Sequence, residues 1–280
     1  MKYAYFRLFL SKIEQPAILV ATGDVQERLP RDQFLRNILS QRVRFSHRST
    51  LMEYVPIPLE AGEGVKFIFG RVGRKKETLE NAAPEEKFEA KTHVGWRASN
   101  FVLDTSDHSD GQKVAMQVRT DVGIPFAILS SLFNHINQLN SDSGWHVDIN
   151  PISNKASFWE AVKENKGRIT RAEFVYITPN VLGIRSELNE ALKRYREREN
   201  AQSVSVTLTE PRGALELDTQ EVRDAVDYIS EGGGSAKLKV GSEVIFDSAH
   251  RDQIKSFETD DRIEIVSAAN RTSLLRKIFG

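Results

Sequence analysis

Four cations are interleaved with two glycines and closed by a glutamate in "FGRVGRKKE", residues 69–77: Arg71, Arg74, Lys75 and Lys76. Guanidinium and ammonium groups hold phosphate by charge and by fork-shaped donors, and glycine lets a backbone come close. A second basic group, Arg42, Arg44, His47 and Arg48, lies in the expected first helix and its exit. Contact with a phosphate backbone, DNA or RNA, is the chemistry these residues could do. The competing reading is the solvated end of a hairpin. A third group, Lys193, Arg194, Arg196 and Arg198, alternates with Glu190, Glu197 and Glu199. Glu190 and Arg194 form an ordinary i,i+4 pair, so this group reads as a solvated helix face.

Other chemistry has less to stand on. None of the six histidines sits in a serine-nucleophile signature. Glu89 and Lys91 match the E-x-K of magnesium-dependent nucleases, which also need an acid on a neighbouring strand; Glu77 or Glu80 could supply it. His146 and Asp148 would share one strand face but have no third ligand in the pattern. "DTSDHSDG" lacks the acids at alternate positions that a calcium loop requires and reads as a turn. "EGGGSAK" follows a helix and precedes a strand, the reverse of a phosphate loop. With no cysteine, disulfides, thiol nucleophiles and thiolate zinc sites are excluded. No metal or other cofactor is expected.

Lys and Arg balance Asp and Glu, 39 against 39, but not evenly along the chain. Residues 1–80 carry 14 cations against nine anions, whereas residues 201–280 carry 10 against 14. A neutral total argues against strong nonspecific attraction to DNA, and the segregation permits a local positive face. Arg7 interrupts the apolar start, and no run of about 18 apolar residues exists. A cytoplasmic protein without membrane insertion is expected.

The elements that must position these groups follow from periodicity. Strands are expected at 3–10, 17–21 and within "TLMEYVPIPL", "GVKFIFGRVGR", 88–104 and "QKVAMQVRT". Pro30 opens a helix with Phe34, Leu35, Ile38 and Leu39 on one face, and Ile128 to Leu139 repeat at helical spacing. The turn formers of "NPISNK" suggest a boundary near 150–156. Beyond it, Ser157 with Glu160 and Asp218 with Glu221 read as helix starts. "QSVSVTLTE", "AKLKVG", "SEVIFDS", "IKSFET" and "RIEIV" read as strands, and "SLLRKIFG" as a short terminal helix. Helices alternate with hairpin-like strand groups. The fold class is therefore α+β, with mixed or antiparallel sheets, packed helices and two subdomains: 1–152, β-rich with the basic patch, and 153–280.

The order of features from "ASFWEAVKENKGRITRAEFVYITPNVLGIRSELNEALKR" to "GGGSAKLKVGSEVIFDS" resembles that of bacterial mobile-element proteins and, more remotely, RexA-type phage-exclusion and KwaB-type defence proteins. The likeness is one of layout, over about residues 150–258, and brings no catalytic motif. It implies a cytoplasmic, homodimeric, DNA-associated role in phage defence or exclusion. The expectation is a nucleic-acid-binding protein, not catalytic by itself, using Arg42, Arg44, Arg48, Arg71, Arg74, Lys75 and Lys76. The alternatives are a magnesium-dependent nuclease and a protein-interaction subunit of a defence complex.

Overall fold

The computed structural model describes residues 1–12, 29–58, 66–106, 112–178, 187–250, 254–258 and 267–279. The chain runs β1 (Lys2–Lys12), α1 (Arg31–Leu39), β2 (Val43–His47), β3 (Thr50–Ile57), β4 (Phe67–Asn81), β5 (Ala90–Asp104), β6 (Lys113–Gln117), α2 (Pro125–Leu139) and β7 (Trp145–Pro151). It continues α3 (Lys155–Glu164), β8 (Arg171–Ile177), α4 (Glu187–Glu199), β9 (Ser203–Thr209), α5 (Gln220–Tyr228), β10 (Gly234–Val240), β11 (Glu243–Asp247), β12 (Ser256–Glu258) and α6 (Ala268–Phe279). The class is α+β, mostly β, and every strand pair in both sheets is antiparallel.

The first sheet has the order β1–β6–β5–β4–β3–β2, with β7 and β12 sharing the far side of β1 end to end. β1 is aromatic and branched on both faces, and both faces are buried. The sheet curls around α2, whose Ile128, Leu129, Leu132, Phe133 and Ile136 fill its concave side. Side chains of α2 tie it to both margins. His47 Nδ1 of β2 lies 2.8 Å from Ser131 Oγ, and Asn137 exchanges two 2.9 Å hydrogen bonds with the Val147 backbone of β7. Tyr54 packs edge-on against Phe101 and donates to the Leu39 carbonyl at the end of α1, 2.9 Å away. That ring occupies the space a side chain at position 70 would need, which explains Gly70 in mid-strand.

The convex side of the same sheet is covered by α6. Leu274 and Ile278 bury against Tyr3, Phe69, Val102 and Ala115, and Phe279 stacks on Phe67. Tyr5 Oη donates to the Ile278 carbonyl at 2.9 Å, and burial pushes its phenol up to about 12.

The second sheet has the order β11–β10–β8–β9. One face carries α3, α5 and α4 over Phe158, Phe174, Tyr176, Tyr228 and Phe246. The other is a polar ladder: Glu173 binds Arg171 at 2.7 Å and Lys239 at 2.9 Å, and Lys237 reaches Asp247 at 3.1 Å. The sheets meet where buried Arg7 of β1 donates to the Glu231 carbonyl at 2.9 Å. Gly232, at φ +91°, lets that turn lie on the Arg7 stem.

Several expectations shift. The chain passes to the second sheet at Pro151–Asn154, where the turn formers stand, but β12 and α6 return to the first sheet. The first sheet is therefore assembled from both ends of the chain. α3 is capped by Asn154, which accepts from Ala156 N, with Ser157 already inside the helix. α5 is capped by Thr219, while Asp218 binds Arg223 instead. Residues 43–47 form a strand rather than a helix exit, because Val43 and Phe45 alternate inward. The strands expected at 17–21 and 262–266, and most of the 104–111 turn, lie outside the described residues. Among the described residues no helix is long and apolar enough to cross a membrane.

Candidate nucleic-acid interface

β4 and β5 are each 15 residues long and pair along their whole length. Their neighbours are shorter: the pairing of β3 with β4 stops at Met52 opposite Arg74, and that of β6 with β5 reaches only Phe101 opposite Met116. The seven pairs from Lys75–Trp96 to Asn81–Ala90 thus form a two-stranded ribbon projecting beyond the sheet. At about 3.3 Å per residue it is about 23 Å long.

Strand alternation sorts its side chains. The inner face continues that of Ile68 and Val72 and carries the cross-strand pairs Arg74–Arg97, Lys76–Gly95, Thr78–His93 and Glu80–Lys91. The outer face carries Lys75–Trp96, Glu77–Val94 and Leu79–Thr92, with Leu79, Val94 and Trp96 at least half exposed. The tip, residues 82–89, exposes Phe88 and three glutamates.

The seven residues singled out by the sequence do not converge. The basic run lies within a strand, so a period of two divides it: Arg74 and Lys76 face inward, Arg71 and Lys75 outward. Arg71 donates to Asn100 at 3.3 Å, and Lys75 contacts Glu77 at the same distance. Arg42 and Arg44 are both held by Glu53, at 3.0 and 2.7 Å, and that carboxylate is only 5% exposed. They are engaged by a partner from β3 and stand apart from Arg74 and Lys76. Arg48 occupies the β2–β3 turn with φ 45°, and the register of β3 brings that turn to the root of the ribbon. Burial first, and the Arg48 charge second, hold the neighbouring His47 below its ordinary range.

Two cations the sequence did not single out join the inner-face pair. Arg97 is the cross-strand partner of Arg74, and Arg119 follows β6 at the same end. Asp121 accepts from Arg119 at 2.8 Å and lies 3.7 Å from Arg97. The Arg119 hydrogen bonds, with the charges of Arg119 and Arg97, lower the Asp121 carboxyl from its ordinary value. Like charges directly opposite one another destabilise a sheet. Arg74 Nε is moreover buried without a hydrogen-bond partner among the described residues. A buried donor of this kind carries an uncompensated desolvation cost, which an incoming anion would relieve. Arg97 was legible only as a lone cation between Trp96 and Ala98; its pairing with Arg74 depends on register.

The other candidate chemistries have these geometries. Glu89 lies in the exposed tip, and Lys91 is ion-paired with Glu86. Glu77 projects from the outer face, while Glu80 faces Lys91. His146 Nε2 is 3.4 Å from Asp148 Oδ1, and burial raises the Asp148 carboxyl despite His146 and Arg196 nearby. Among the described residues no three His, Asp or Glu side chains are grouped to hold a metal ion. The cations of α4 are set around the second sheet, away from the ribbon, and Arg196 donates to the Lys12 carbonyl. Comparison with protein-family models, with curated proteins and with solved structures returns no match to any of the three.

Proposed function

We propose that the protein binds nucleic acid through the inner face at the root of the β4–β5 ribbon, with Arg74, Lys76 and Arg97 on phosphate and Arg48 and Arg119 at the margin. The observation that carries this reading is the Arg74–Arg97 cross-strand pair, two like charges made neighbours by register, one with an orphaned buried donor. A bound phosphate removes the repulsion and supplies the acceptor. A two-stranded ribbon also has the width that enters a major groove. Lys75 and Arg71 lie on the opposite face and contribute through the general field; Arg42 and Arg44 are occupied by Glu53. Phage defence or exclusion by a cytoplasmic homodimer is the biological setting the layout resemblance implies.

The test is fluorescence-anisotropy titration of labelled duplex DNA, single-stranded DNA and RNA across salt concentrations. Arg74→Ala, Lys76→Ala and Arg97→Ala are each expected to lower the salt slope by about one unit, as loss of one phosphate contact does. Arg42→Ala is expected to change it little. No detectable binding at low salt would end this reading.

A second reading rests on a different observation: Trp96, Val94 and Leu79 on the outer face of the ribbon and Phe88 at its tip are exposed apolar side chains. Such surfaces serve protein docking, which fits an interaction subunit of a defence complex. A Leu79→Ser/Trp96→Ser variant that loses a copurifying protein while keeping nucleic-acid affinity would select it.

A further inference from the structure

β9 is a margin of the second sheet. It pairs with β8 through all seven residues, and among the described residues no backbone bond reaches its outer edge. Free strand edges recruit other strands, and proteins blunt them with charge, proline, bulges or short length. The opposite margin, β11, shows these devices: it is five residues long, begins at Glu243 and ends at Asp247, and its pairing is broken by a bulge at Leu238/Lys239. β9, "SVSVTLT", has none of them: it holds no charge, no proline and no bulge. Of the first sheet's margins, β12 is only three residues long, and β2 and β7 are bonded to α2 through Ser131 and Asn137.

The order of residues in β9 selects the occupant. Val204, Val206 and Leu208 share the helix-covered face with Tyr176, Phe174 and Ala172, while Ser203, Ser205, Thr207 and Thr209 share the polar face. About a two-fold axis through Val206, antiparallel pairing with a second β9 sets Ser203 against Thr209, Val204 against Leu208, Ser205 against Thr207 and Val206 against itself. Every apolar side chain meets an apolar one and every hydroxyl meets a hydroxyl. A slip of one residue would set Val against Ser on each face. No charge opposes its own copy, and Val206, 40% exposed on the apolar face, gains a partner.

We infer that β9 is a homodimerisation edge, joining two copies into a continuous eight-stranded antiparallel sheet, β11–β10–β8–β9–β9–β8–β10–β11. A two-fold axis normal to the sheet keeps the helices of both copies on one side. α3 touches β11 and α5, and α5 touches α4, so α4 stands at the β9 margin and flanks the axis. Its exposed side chains include Tyr195 and charges of both signs, which allows two copies to approach. This inference concerns the second sheet and is independent of the ribbon reading.

Light scattering on the full chain after size exclusion is the test, with an expected mass twice the 31.7 kDa of the chain. Val206→Lys puts two ammonium groups at the axis and is expected to give the monomer mass with an unchanged far-UV spectrum. Val206→Glu should do the same, and the two variants mixed should return the doubled mass as a one-to-one pair. Should Val206→Lys misfold, Ser205→Lys/Thr207→Lys, which sets lysine against lysine across the axis on the polar face, is expected to give the same dissociation. A monomeric wild type, or a dimer that survives both lysine variants in folded protein, overturns the inference. A monomer that captures an extended peptide at β9, lost in Val206→Lys, would overturn it in favour of a foreign strand.

Discussion

The two sheets solve the same burial problem to different extents. The first is covered on both faces, by α2 within and α6 without, and its margins are stitched to α2 by side-chain hydrogen bonds. Among the described residues the second is covered on one face and leaves a salt-bridge ladder and the β9 edge outside. The difference shows in the strands. β1 is apolar on both faces, whereas β8 alternates Ala172, Phe174 and Tyr176 with Arg171, Glu173 and Val175. A sheet buried twice can offer surface only where it outgrows its covers, and the ribbon is that place. A sheet buried once offers a face and an edge from the start.

Substitutions can break or sharpen this comparison. The largest effects belong to the two cores. Phe101→Ala in the first sheet and Phe174→Ala in the second each remove a fully buried ring and are expected to cost about 3–5 kcal/mol in urea unfolding. If the sheets unfold as one unit, both variants lower a single midpoint. Separate transitions would show that the Arg7–Glu231 junction does not couple them.

The next effect compares two carboxylates that each hold two cations. Glu53 is almost fully buried between Arg42 and Arg44, whereas Glu173 stands on the half-open ladder between Arg171 and Lys239. Glu53→Ala removes a buried acceptor from the Arg44 hydrogen bond and the counter-ion of Arg42, and is expected to cost about 1–3 kcal/mol by thermal unfolding. Equal losses for Glu53→Ala and Glu173→Ala would show that burial of the first sheet adds nothing to its ion pairs. Asn154→Ala removes the cap of α3 at the passage between the sheets and is expected to cost about 1 kcal/mol.

The smallest effect is a pH dependence. The Lys239 hydrogen bond, with the charges of Lys239 and Arg171, lowers the Glu173 carboxyl below its ordinary value. A depressed carboxylate stabilises the fold above its unfolded pKa, and the benefit disappears as pH falls through the folded one. The melting temperature of Glu173→Gln is therefore expected to lie slightly below wild type at neutral pH and to meet it in acid. A difference that persists in acid would assign the loss to packing.

Much of this architecture was legible beforehand, and the limits have physical causes. The helical face of Phe34, Leu35 and Leu39 and the stripe from Ile128 to Ile136 announced α1 and α2, because burial of one face imposes the period. "QSVSVTLTE" announced β9 by its alternation. The helix caps were displaced by one to three residues, since several neighbouring polar side chains compete for the same orphaned N–H groups. The return of β12 and α6 to the first sheet carried no local signal, because pairing to β1 is a contact across some 250 residues. The basic run at 71–76 was legible as charge. Its division between two faces required knowing that the run is strand throughout.

The sequence by itself determined the α+β class, most element positions and the segregation of charge, because periodicity and residue type are local properties that folding must obey. Only the tertiary structure decided which cations meet. The register of β4 against β5 sets Arg74 against Arg97 on one face, and the β2–β3 pairing brings Arg44 to Glu53, with Arg42 beside it. Register is set by how the whole sheet buries its apolar face, and no stretch of nine residues contains that information.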